Sequence, residues 1–165
     1  MAACTGLPGG TTAVTGFELE RYLGTWYEIA RLDHRFERGL TNVTANYALR
    51  DDGGVEVVNR GFDSESGEWE QASGKAYFVD TPNVGRLKVS FFGPFYGAYN
   101  IVELDHDDYQ YSLVVGPNRS YLWILARSPD LPESVVQKLV DTARTLDFPV
   151  DELIYVSHAP VTGGE

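Results

Sequence analysis

The sequence predicts an all-β chain: an antiparallel meander of eight strands, closed as a barrel or folded as a sandwich, followed by one helix. Three observations carry this prediction. Eight apolar runs of 6 to 9 residues recur at nearly even spacing between turn-forming segments. Aromatic residues make up 13% of the chain, with ten Tyr and eight Phe, and seventeen Gly accompany them. Aromatics suit strands and glycines suit tight turns. After Arg127 the apolar period changes once, from two to between three and four.

In chain order, residues 1–16 are rich in Gly, Thr and Pro and read as a flexible leader. The strand-like runs are TWYEIARL, NVTANYALR, GVEVVNRGF, GKAYFVD, RLKVSFF, AYNIVEL, YSLVVG and YLWILAR. Between them lie DDGG, DSESG, TPN, GPFYG, DHDD and GPNRS, all turn compositions. Pro129, Pro132 and Glu133 then mark a helix start, since proline and an acid are favoured in a first turn. Val136, Leu139, Val140 and Ala143 form one apolar stripe, which predicts a helix ending near Leu146. Asp151 to Val156 reads as a short final strand, and residues 159–165 as a flexible tail. One domain over residues 17–158 is the natural division.

The chain has 165 residues, enough for one core that buries roughly 70% of the extended surface without disulfides. Thirteen basic and twenty-four acidic residues give a net charge of −11. That argues against nucleic acid as a partner, because phosphate binding needs clustered Lys and Arg. No apolar stretch approaches the ~20 residues of a membrane-spanning helix. The single cysteine, Cys4, excludes an intrachain disulfide. Two small residues precede it, as they precede the lipid-accepting cysteine of a bacterial lipoprotein signal. The basic start and apolar stretch of such a signal are missing upstream, as expected if a leader has been removed. An unremarkable cysteine in a tail is the equal alternative on these residues alone.

Gly24-Thr25-Trp26 opens the first strand, Arg127 closes the eighth, and one helix follows. This combination resembles the lipocalin family, in which a Gly-x-Trp motif and an Arg at the end of the last barrel strand recur. The runs from Tyr22 to Ala30 and from Trp123 to Arg127 are similar to the apolipoprotein D branch. Those from Asp33 to Gly39 and from Lys88 to Gly97 are similar to the bacterial outer-membrane lipocalins. The resemblance implies an eight-stranded up-and-down β-barrel with the helix packed outside. The family's Thr-Asp-Tyr motif is incomplete: Leu104-Asp105-His106 and Asp107-Asp108-Tyr109 each match it in part.

Within such a barrel Trp26 and Arg127 seal the base, a guanidinium over an indole being worth up to ~2 kcal/mol when desolvated. Alternation fixes the inner face once Arg127 is placed. Leu125, Trp123 and Tyr121 point inward, as do Val43, Ala45, Tyr47 and Leu49, and then Val55, Val57 and Asn59. Ala76, Phe78, Leu87, Val89, Phe91, Tyr99 and Ile101 complete the wall. Ala45, Tyr47, Val57, Asn59, Ala76, Phe78, Val89, Phe91, Tyr99 and Trp123 are the expected ligand contacts; for Tyr47, Asn59 and Trp123 the resemblance implies the same. Alternation by itself favours a filled core, and the resemblance favours a pocket. At the mouth, Phe92, Phe95 and Tyr96 mark a contact surface for a membrane or for a second copy of the chain. Arg35, Arg38 and Arg119 are candidates for an anionic head group.

Enzyme chemistry has little to stand on. The sequence has no Gly-x-Ser-x-Gly elbow, and His34, His106 and His158 fall in loops or the tail without metal-ligand spacing. No catalytic residue, metal or cofactor is therefore expected. The expectation is a carrier of small hydrophobic ligands such as fatty acids or lysophospholipids. The resemblance implies an outer-membrane lipoprotein anchored through Cys4 on the periplasmic face.

Overall fold

The computed structural model describes residues 5–161. After a single-turn helix α1 (Leu19–Tyr22), strands β1 (Gly24–Arg31), β2 (Leu40–Leu49), β3 (Val55–Asp63) and β4 (Glu68–Phe78) form the first half of the barrel. Strands β5 (Arg86–Phe92), β6 (Phe95–Leu104), β7 (Tyr111–Val115) and β8 (Leu122–Ala126) form the second half. Helix α2 (Glu133–Thr145) and a two-residue strand β9 (Ile154–Tyr155) follow. Every neighbouring pair is antiparallel, and β1 pairs with both β2 and β8, so the sheet closes into an eight-stranded up-and-down barrel. β9 adds to β1 on the outside, opposite Ala30 and Arg31.

Closure divides the apolar residues between two cores. Inside lie Trp26, Tyr47, Val57, Leu87, Ile101 and Leu125. Outside, the α2 stripe of Leu139, Val140 and Ala143 covers Ile29, Leu113, Val115, Ile124 and Ala126. The helix therefore packs wholly on the outside of the barrel.

Several sequence expectations need correction. β4 begins at Glu68 rather than Gly74. Gly67, at φ 73°, donates its N–H to the Asp63 carbonyl at 2.8 Å, and this tight turn lets pairing start at once. The segment expected as a loop from Phe92 to Gly97 is mostly strand. β6 starts at Phe95 and Phe92 pairs with Phe95, so only the cis-linked Gly93–Pro94 lies between the strands. The leader is not loose over its described part. Val14 N–H bonds Ile101 O at 2.9 Å, Asn100 Nδ2 bonds Gly6 O at 3.0 Å, and Ala13 is buried. Leu49, expected to face inward, is 60% exposed because the β2–β3 hairpin extends beyond the barrel base.

Candidate functional site

The barrel is closed at one end by stacked groups from several elements. Arg127 lies over the Trp26 ring at 4.0 Å and donates to the carbonyls of Thr25, Tyr109 and Arg21. Gly24 beside it is called for by its backbone, which side chains rarely tolerate. Its φ is 100°, and a Cβ there would stand 3.4 Å from Arg127 Nη1. Above Trp26, Tyr22 packs at 4.6 Å, and Phe17 packs against Tyr22, Phe78 and Tyr109. Phe78, expected on the ligand wall, thus belongs to the base plug. The two partial Thr-Asp-Tyr matches share the work. Asp105 accepts the N–H groups of Asp108 and Gln110, while Tyr109 supplies a buried ring under Arg21.

A chain of phenol hydroxyls forms the floor above the plug. Tyr99 Oη meets Tyr22 Oη and Tyr47 Oη at 2.8 Å each, and Tyr22 also bonds Ser112 Oγ at 3.0 Å. Burial pushes the Tyr22 phenol up to about 12 and holds those of Tyr47 and Tyr99 well above their ordinary value. All three therefore stay neutral and serve as hydrogen-bonding groups.

Exposure changes with height along the inner wall. Trp26, Tyr47, Val57, Ala76, Leu87 and Leu125 are buried. Ala45, Asn59, Val89, Phe91, Tyr99 and Trp123 share the inner face yet remain half-exposed. In a closed barrel, an inward residue is reached by solvent only through open interior space. Solvent therefore reaches part of the upper inner wall, above a sealed base. Gly74 also lies on this wall, where any Cβ would come within 2.8 Å of the Phe91 ring.

The inward turn of Arg31, and the loop side chains that meet it, were not foreseen. A β-bulge at Ile29 shifts the β1–β8 register, so Glu28 faces Leu125 but Arg31 faces Trp123. Glu28 keeps the inward parity of Trp26, the bulge turns Arg31 inward as well, and the two side chains pair at 3.0 Å, fully buried. The loop after β1 then folds back over them. Glu37 Oε2 accepts from His34 Nε2 at 2.6 Å and from Trp123 Nε1 at 2.9 Å, and Arg31 donates to the Glu37 carbonyl. Burial, followed by the neighbouring Glu37 charge, holds the Glu28 carboxyl well above the usual range. Burial would raise Glu37 too, but the hydrogen bonds from His34, Glu28 and Trp123 together bring it down to about 2.

The rim carries large exposed aromatics on two hairpins that face each other across the mouth: Phe36 at 71%, Phe92 at 70% and Phe95 at 76%. Tyr96 is not among them. It lies on the outer face beneath Lys88 Nζ at 4.9 Å. Arg119 is also removed from the mouth role, since it bonds the carbonyls of Leu146 and Gly9 and packs over Phe148. Arg38 pairs with Asp33 at 2.9 Å, and Arg35 remains exposed with no ion pair among the described residues. Cys4 lies outside the described residues.

The model of the lipocalin-like domain matches residues 17–158. The chain is a lipocalin. Among curated proteins this lipocalin is 52% identical to outer membrane lipoprotein Blc of Vibrio cholerae, over 93% of its length and 90% of the relative's. It is 54% identical to outer membrane lipoprotein Blc of Escherichia coli K12, over 90% and 84% of the two chains. Among solved structures it is similar to insecticyanin from the tobacco hornworm Manduca sexta, with TM-score 0.76 and 21% identity over 96% of this chain and 92% of that one. That last likeness is one of fold.

Proposed function

We propose that this lipocalin is a lipid carrier rather than an enzyme, taking a fatty acid or lysophospholipid into the upper barrel. The observation that carries the reading is the half-exposed inner wall of Ala45, Asn59, Val89, Phe91, Tyr99 and Trp123 above a sealed base. An acyl tail lies against the apolar wall and the head group remains near the mouth. Each CH₂ taken out of water contributes ~0.8 kcal/mol, so affinity climbs steeply with tail length until the tyrosine floor is reached. The names of the curated relatives support an outer-membrane lipoprotein. In that reading Cys4 carries the acyl anchor and the barrel faces the periplasm. More than one acyl chain is needed for stable attachment. Phe36, Phe92 and Phe95 suit contact with the bilayer from which the ligand is drawn.

Native mass spectrometry of the purified protein with palmitate and with lysophosphatidylethanolamine tests the carrier role. The expected result is a one-to-one complex with at least one of them. Failure of both to bind would return the barrel to the filled-core alternative, an interaction module without ligand. Cys4→Ser tests the anchor separately. Release of the variant from the membrane fraction is expected, and unchanged fractionation would remove Cys4 from the account.

A further inference from the structure

The Glu37 carboxylate reaches from the mouth loop into the barrel and takes up donors that line its inner face. Trp123 Nε1 and His34 Nε2 both donate to one oxygen, Oε2, at 2.9 and 2.6 Å. The other oxygen, Oε1, is buried with no hydrogen-bond partner. Beneath this group sits Arg31, buried, with its Nε unpartnered, and the His34 Nδ1 is buried and unpartnered as well. A set of donors this dense around one carboxylate, inside a largely apolar barrel, is a built anion site.

We propose that Glu37 is an internal occupant of a head-group site, and that an amphiphile's own carboxylate binds there by displacing it. The inference rests on the lipid-carrier reading and adds the head-group chemistry to it. A ligand carboxylate would accept from Trp123 Nε1 and from His34 Nε2, with Arg31 supplying the nearby positive charge. The Glu37 side chain then gives up Trp123 Nε1, while its backbone carbonyl stays within reach of Arg31. Glu37 is tethered, so its effective concentration at the site is in the millimolar range of short flexible links or above. It therefore competes strongly with a dilute ligand carboxylate and leaves an uncharged head group unaffected. The residue acts as a selectivity filter against free carboxylates.

The test compares decanoate with decanol, two ligands with one tail and different head groups, by calorimetry at pH 7.5. In E37A the decanoate affinity is expected to rise by about tenfold or more, given the cost of displacing a charge-assisted, multiply bonded anion. The decanol affinity should change by about twofold or less, reflecting only the added space. E37Q keeps the shape and an acceptor oxygen but loses the charge, so its decanoate affinity should fall between wild type and E37A. E37Q also carries the test should E37A fail to fold. If both ligands bind and the decanoate-to-decanol ratio is the same in wild type, E37Q and E37A, Glu37 is only a steric plug and the inference is overturned. If neither ligand binds any of the three proteins, the lipid-carrier reading itself fails, and this inference with it.

Discussion

Arg127 offers the most direct perturbation of the base. Its guanidinium stands 4.0 Å over Trp26 and donates to three carbonyls, at 3.1 Å to Thr25, 3.2 Å to Tyr109 and 2.7 Å to Arg21. Those carbonyls belong to α1, β1 and the loop before β7, so one side chain ties three segments to the plug. The stack is worth about 1 kcal/mol at a partly exposed site. Each partly hydrated hydrogen bond adds about 0.7 kcal/mol. Arg127→Ala should therefore cost about 3 kcal/mol, which for a domain of this size lowers Tm by about 6–12 °C. Arg127→Lys keeps a cation over the indole but loses the planar fork, so about half the loss is expected. Urea denaturation followed by far-UV circular dichroism measures both. A loss below about 0.5 kcal/mol in Arg127→Ala would refute the reasoning, as would a lysine variant no better than alanine.

Four further outcomes follow from the same geometry. Ala45→Trp places an indole on the upper inner wall, so acyl ligand binding should fall at least tenfold while the fold survives; unchanged affinity would mean the inner face is misassigned. Tyr99→Phe removes the hydroxyl shared by Tyr22 and Tyr47 and should cost about 1–3 kcal/mol, the penalty of stranding buried polar groups; thermal unfolding checks it. The acid cluster predicts opposite slopes of stability with pH. Glu37, lowered to about 2, loses its contribution as pH falls from its ordinary 4.5 towards 2. Glu28, raised, loses its contribution as pH climbs from 4.5 through its folded value. Denaturation across pH 3–8 should therefore show stability declining on the alkaline side, and Glu28→Gln should flatten that decline; a slope identical to wild type would refute the raised Glu28 carboxyl. Finally, Phe92→Ser with Phe95→Ser should abolish binding to phosphatidylcholine vesicles in a flotation assay. Intact vesicle binding with loss of a dimer in light scattering would assign the rim to a second copy instead.

The base and the inner wall were legible because strand alternation is a strict rule. Once Trp26 and Arg127 were placed, parity put Ala45, Tyr47, Val57, Val89, Tyr99 and Trp123 on the inside, where the structure has them. The same parity, carried back from Tyr99, would have put Tyr96 on the outer face. The turn composition of Phe92 to Gly97 masked that signal. Arg31 was out of reach for a different reason. A single bulge at Ile29 reverses the parity of the rest of β1, and nothing in the residue types announces it. Glu37 and His34 act from a loop, where no period exists to read. Phe17 and Tyr22 precede the first strand and plug the base through long-range packing alone. Arg119 was assigned to the mouth by its loop, but the chain before β1 and the end of α2 offer it carbonyls there.

The central claim is that a ligand sits in the upper barrel, between a tyrosine floor and an aromatic rim. The three tryptophans report on this independently. Trp123 lies on the inner wall, Trp26 is sealed in the base, and Trp69 packs on the outer face between Phe62 and Arg60. Their indole N–H resonances in a ¹⁵N-correlated NMR titration with palmitate locate the ligand directly. The account predicts a saturable one-to-one shift of the Trp123 signal, with Trp69 unmoved. A titration that moves Trp69 and leaves Trp123 in place would contradict it.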